Sequence, residues 1–210
     1  MIHIDIEKAV ENAEKLKITI KSSQVLKKSL IILVPDNKES AIRKIIFLLF
    51  EMFFARMIVT QADTVSFTKE IFEVFITILV AMIAIVFTGY AIFQALINDN
   101  LLIALLSVNN EKGNLIGTNK YFVELMLFQI VCTIFNLFIV IFTIIIPNDW
   151  CAFKNMGANE WLAGIILLCA MHCNIESIWE MKSFCFNVFQ LINVYEYARI
   201  TEIKEKKDKA

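Results

Sequence analysis

The 210-residue chain is 58% hydrophobic, carries 18 Phe against 5 Gly and 2 Pro, and has a formal net charge of −1. A soluble domain of this size is nearer half apolar, and near-neutrality excludes bulk electrostatic attraction to nucleic acid. Scarce Gly and Pro favour long uninterrupted helices, and five cysteines set mostly inside apolar stretches do not make a disulfide framework.

The N-terminal MIHIDIEKAVENAEKLK is charged and lacks an apolar core followed by a cleavage site, so it is not read as a signal peptide. Ile6, Val10, Ala13 and Leu16 recur at helical spacing with charged residues between them. This predicts an amphipathic cytoplasmic helix within an N-terminal region of residues 1–40. The apolar run Leu30 to Val34 stops at Pro35, and Asp36 with Glu39 suggests a capping box that opens the next helix.

That helix carries IIFLLFEMFFARMIV, residues 45–59, with Glu51 and Arg56 inside it. Extended to about 41–65 it reaches spanning length; the alternative is a helix lying in the membrane interface. After a polar link at 60–70 comes the longest apolar run, Ile71 to Ile97, with Glu73 as its one charge. Backbone polar groups in hydrocarbon must pair internally, so such a run reads as a membrane helix, and the other helices are expected to pack around it.

Residues 98–120 form a polar loop, turn-rich at NNEKGN (109–114), whose Leu101 to Leu106 could fold back on the bundle. Residues 121–146 make the next span, closed by Pro147, and Trp150 and Trp161 suit an interface belt. A fourth span covers about 160–175. No Gly or Pro follows before the charged tail, so 161–205 reads either as one helix or as two elements broken near 173–176. The expected fold is therefore all-α: an integral membrane protein with a bundle at 41–175, a cytoplasmic C-terminal helix and tail at 176–210, and oligomeric assembly. With four spans, Lys and Arg number nine in residues 1–44, two in loop 98–120 and five from Arg199 on, sixteen in all, against Lys69 and Lys154 outside. The positive-inside rule then puts both termini in the cytoplasm.

Several residues could carry function. Glu73, Thr77, Ala81, Ala84, Thr88, Ala91 and Ala95 share one helix face. That stripe reads either as a close-packing surface or as the lining of a wet path. Gln129, Thr133, Asn136 and Thr143 form a second stripe, with Glu124 near its start; this one reads as interhelical glue or as pathway. The candidate path residues are Glu73, Thr77, Gln129, Thr133 and Asn136, and the intramembrane charges are Glu51, Arg56 and Glu124. Glu51 and Arg56 are five apart, a poor spacing for a pair on one helix, so each is expected to find a partner elsewhere or to reach an interface.

Cys169, His172, Cys173, Glu176 and Glu180 lie near one face at the inner membrane edge. One helix rarely supplies a whole tetrahedral site, so no metal is assigned, and no cofactor is implied. Soluble-enzyme motifs are absent: the chain has no GxGxxG, Walker loop, HExxH or GxSxG. The protein is read as a non-enzyme.

The layout is a few spans, cytoplasmic ends and no catalytic motif, with the distinctive stretch FTGYAIFQALINDNLLIALL at 87–106. It resembles the small membrane effectors of bacterial antiphage, abortive-infection systems. The resemblance implies an inner-membrane channel or membrane-disrupting effector held in check by a soluble partner or small signal. Two functions follow as expectations. The first is a homo-oligomeric channel gated by its cytoplasmic region. The second is a membrane anchor that recruits a soluble partner through residues 1–40 and 176–210.

Overall fold

A computed structural model of the chain describes residues 6–15, 21–61, 63–97, 102–103, 105–106, 115–148 and 150–208. The NNEKGN segment at 109–114 lies outside the described residues. Among those described the regular structure is helical: α1 (Ile6–Lys15), α2 (Ser22–Ser29), a 3₁₀ turn (Leu30–Leu33), α3 (Lys38–Val59), α4 (Thr64–Leu96), α5 (Leu115–Ile145) and α6 (Met156–Asp208).

Helix boundaries follow local hydrogen-bond chemistry. The cap of α3 is Asn37 rather than Asp36: the Asn37 Oδ1 accepts from the Ser40 amide at 2.7 Å. The same helix stops at Val59, short of the expected 65. Thr60 Oγ1 donates to the Arg56 and Met57 carbonyls, and Thr64 Oγ1 to the Gln61 carbonyl at 2.9 Å, so the carbonyls orphaned at the helix end are satisfied in the turn. The expected polar link at 60–70 thus shrinks to four residues, and 64–70 forms the first turns of α4. At the other end of the chain, α6 is one helix of 53 residues, about 80 Å long, with no break at 173–176.

The four long helices run up and down. Lys44 meets Glu176 and Arg56 meets Glu160, so α3 and α6 are antiparallel. Phe93 stacks on Phe122, and Phe72 shares a cluster with Val140, so α4 and α5 are antiparallel as well. The longest apolar run lies in α4, which meets each of the other three long helices, as expected. Helix α4 packs chiefly on α5 and also on α6 and α3; α6 likewise touches all three other long helices, and α3 joins the bundle mainly through it.

Apolar packing divides into three clusters. One end gathers Val86, Phe93, Leu105, Leu106, Phe122, Leu125 and Phe184, so Leu105 and Leu106 do fold onto the bundle. The other end gathers Ala55, Ile58, Val59, Phe72, Val140 and Leu167. Leu79, Phe128 and Cys132 lie between them.

Three helical stretches are long and apolar enough to cross a membrane: Thr64–Leu96, Gly117–Ile145 and Met156–Tyr197. The chain is thus membrane-associated by the character of its helices. Helix α3 is not among the three, because Ile42 to Val59 contains Arg43, Lys44, Glu51 and Arg56.

Candidate functional site

Between its apolar clusters the interior of the bundle also holds a set of buried polar groups. Glu51, Gln129, Asn136, Asn174, Glu176 and Ser177 are all fully buried. The outer face of α3 shows the reverse: Ile42, Ile46, Leu49, Phe50 and Phe53 are exposed. On α6, His172 and Glu176 are one turn apart and look toward α3. Asn174, two residues from each and so on nearly the opposite side, looks toward α5. The central stretch of α6 therefore carries a different polar set on each flank.

Toward α3 the pairs form a charge ladder. Glu176 accepts from Arg43 Nη1 at 3.1 and 3.2 Å and from Lys44 Nζ at 2.8 Å. Glu51 Oε2 lies 2.9 Å from His172 Nδ1. Arg56 donates to Glu160 at 2.9 Å near the far end. Read along antiparallel helices, plus, minus, plus on α3 meets minus, imidazole, minus on α6. Removing charges from water is expensive, and matched partners of this kind offset the expense. The Arg43 guanidinium also lies 4.9 Å from the Trp179 ring centre, which Lys182 approaches from 4.8 Å.

Toward α5 the groups are amides and hydroxyls. Asn136 Nδ2 donates to Asn174 Oδ1 at 2.8 Å, and Asn174 Nδ2 donates back to Asn136 Oδ1 at 3.0 Å. Asn174 Nδ2 also donates to the Ala170 carbonyl at 2.8 Å. Gln129 Nε2 reaches the Met181 sulfur at 3.5 Å. Among the described residues, Gln129 Oε1, Ser177 Oγ, Glu51 Oε1 and Glu124 Oε1 are buried with no hydrogen-bond partner. Changing Asn136 to Leu strands the Asn174 amide, so we expect a loss of about 1–2 kcal/mol, with Asn136→Leu/Asn174→Leu much nearer neutral. A double-mutant cycle on SDS-induced unfolding checks this, and additive losses would refute the coupling.

The five candidate path residues do not come together in one subunit. Gln129 and Asn136 reach partners across the α5–α6 seam, and Thr133 hydrogen-bonds the Gln129 carbonyl within α5. Glu73 and Thr77 are exposed on the outside of α4, where Thr77 Oγ1 donates to the Glu73 carbonyl and Lys69 lies 3.8 Å from Glu73. A shallow recess of about 390 Å³ there is lined by Glu70, Glu73, Val74, Thr77 and Ile78. The rest of that stripe (Ala81, Ala84, Thr88, Ala91 and Ala95) is exposed too, so among the described residues no helix covers it. Glu124 sits 3.7 Å from Lys120, one turn away on its own helix. Glu180 is half-buried, and its carbonyl accepts from the Tyr121 hydroxyl at 3.4 Å.

Sequence reasoning missed Arg43, Lys44, Asn174 and Ser177. In the sequence Arg43 and Lys44 enter only the count of positive charge, yet the inverse order of charges on α3 and α6 is a signal the sequence carries. Among the described residues no group of three or more His, Cys, Asp or Glu side chains is placed to hold a metal ion. No protein-family model, curated protein or solved structure matches the chain.

Proposed function

We propose that the chain is a four-crossing membrane protein, with α3 as the fourth crossing, whose copies assemble along the outer face of α4 into a channel-like oligomer. The reading rests above all on the inverted side-chain distribution of α3. Its ionisable groups turn to partners on α6 while its large apolar side chains face outward. A helix so arranged suits lipid on its outer side, and its charges enter the membrane already matched. Four crossings also put the sixteen Lys and Arg of the ends and middle loop on one side, which favours a cytoplasmic placement of both termini in the cell membrane.

The interior between α4, α5 and α6 is filled by side chains such as Leu79 and Phe128, so a path belongs between subunits. The α4 face suits that role. Small residues permit close approach of a second copy, and Glu70 and Glu73 supply negative charge at one mouth. Such a mouth attracts cations. In planar bilayers the purified protein should pass discrete currents, and Glu73→Gln should reduce cation selectivity while leaving the fold intact. Unchanged selectivity would remove Glu73 from the path. The resemblance to abortive-infection effectors supplies a setting in which such a channel arrests growth of an infected cell. Regulated expression in a bacterial host tests that part through growth and membrane potential.

A membrane scaffold is the second reading. It is favoured by the far part of α6, where Phe186, Phe189, Tyr197, Ile200 and Ile203 are exposed toward one side. A scaffold lacking residues 1–36 would lose a soluble partner and would never conduct.

A further inference from the structure

We propose that residues 22–34, comprising α2 and the 3₁₀ turn, are a detachable wedge seated over the middle of the bundle beside the α5–α6 polar seam and latched by Lys44. The seat is specific. Helix α2 packs along α5, with Ser29 fully buried. Ile32 packs against both the end cluster and the middle cluster, and Leu33 packs into the middle cluster with Leu79, Phe128 and Cys132. The latch joins wedge to bundle: Lys44 Nζ donates to the Ile32 carbonyl at 2.6 Å and to Glu176 at 2.8 Å. Pro35 follows at once, and the chain reverses into α3.

The wedge is also built to leave. A helix of eight residues is marginal by itself, and a 3₁₀ turn of four residues has poor hydrogen-bond geometry. Leu30 and Ile31 point outward, so only half of the LIIL turn contributes to packing. Elements with so little buried apolar area open more readily than the helices they rest on. The N-terminal arm has a second mooring. In α1, Asn12 Nδ2 donates to the Leu106 carbonyl at 2.7 Å, and Ala13 packs on the end cluster.

Cys132 reports on the seat, because it is buried at 3% exposure in the cluster that Ile32 and Leu33 cover. In a chain whose only cysteine is Cys132, reaction with a water-soluble maleimide in proteoliposomes should be slow. Leu33→Asp, which puts a charge into the apolar seat, should speed it by about tenfold or more. Lys44→Met should speed it in the same direction, and Ile31→Asp, on the outward side of the same turn, should leave it unchanged. Helicity by circular dichroism should stay constant in all three. Labelling of Leu33→Asp at the parent rate overturns the wedge. Fast labelling accompanied by loss of helicity overturns it too, since the segment would then be part of the cooperative core. A role for the wedge in gating rests on the channel reading, but the labelling does not. Fast labelling without any current would keep the wedge and discard the channel.

Discussion

Replacing Glu176 by Ala should destabilise the protein by about 3–5 kcal/mol, because it strands positive charge that the buried carboxylate now balances. Glu176 is fully buried and accepts from both Arg43 and Lys44, whose side chains are 18% and 9% exposed. Glu176→Gln keeps the shape and removes the charge, so it should lose most of the same stability. The triple variant Arg43→Leu/Lys44→Met/Glu176→Met should recover much of it, since matched apolar replacement of a buried ion cluster is often neutral or better. Unfolding by SDS titration, followed by circular dichroism, reads all three. A Glu176→Ala loss under about 1 kcal/mol would place the cluster in the class of solvated surface pairs. The ladder would then not hold α3 to α6.

The second large effect concerns the contact between α4 and α6. A Cβ placed on Gly89 would lie 2.6 Å from Phe184 Cζ, closer than side chains pack. Phe184 is 4% exposed and meets Phe122 edge to face at 5.6 Å, so its ring has little room to withdraw. Phe184→Ala should cost about 3–5 kcal/mol through the cavity it leaves, and Gly89→Val about 1–3 kcal/mol through overpacking. The two sites should be coupled. Phe184→Leu introduced into Gly89→Ala should restore part of the loss, giving non-additive unfolding energies. Strict additivity would mean that the ring moves aside freely. Gly89 thus acts through close approach, since its helix is regular and no described glycine has positive φ.

Much of the architecture was legible from the chain alone. The runs at 71–97 and 121–146 are helices because their apolar character is continuous and lacks interior Pro, and hydropathy is a local, additive property. Pro147 closes α5 for an equally local reason: it cannot donate to a helix. The continuity of α6 was one of two readings, and the lack of Gly or Pro near 173–176 favoured the one the fold adopts. The ends of α3 were harder to place. Asn37 and Asp36 are both good caps, and only the backbone path selects the one whose oxygen reaches the Ser40 amide.

The functional residues were legible as types rather than as partners. Glu51, Arg56, His172 and Glu176 stood out because charge inside an apolar helix demands compensation, which any sequence shows. Their partners lie 104 to 133 positions away along the chain, and no periodicity within one helix encodes such distances. The two polar stripes looked equivalent as sequence. Packing separated them: the α5 stripe meets Asn174 and Met181 on α6, whereas the α4 stripe is left on the outside.

The sequence by itself therefore determined that the protein is helical, where its apolar helices run, and that its composition suits a membrane, since these follow from properties that neighbouring residues share. The tertiary structure decided which polar groups are paired, which face of α4 stays exposed, that α3 is held mainly by α6, and that LIIL seats itself beside Cys132. Those outcomes depend on the relative rotation and register of helices far apart in the chain. Small differences in side-chain size, such as Gly89 beneath Phe184, and the need to match buried charge select them.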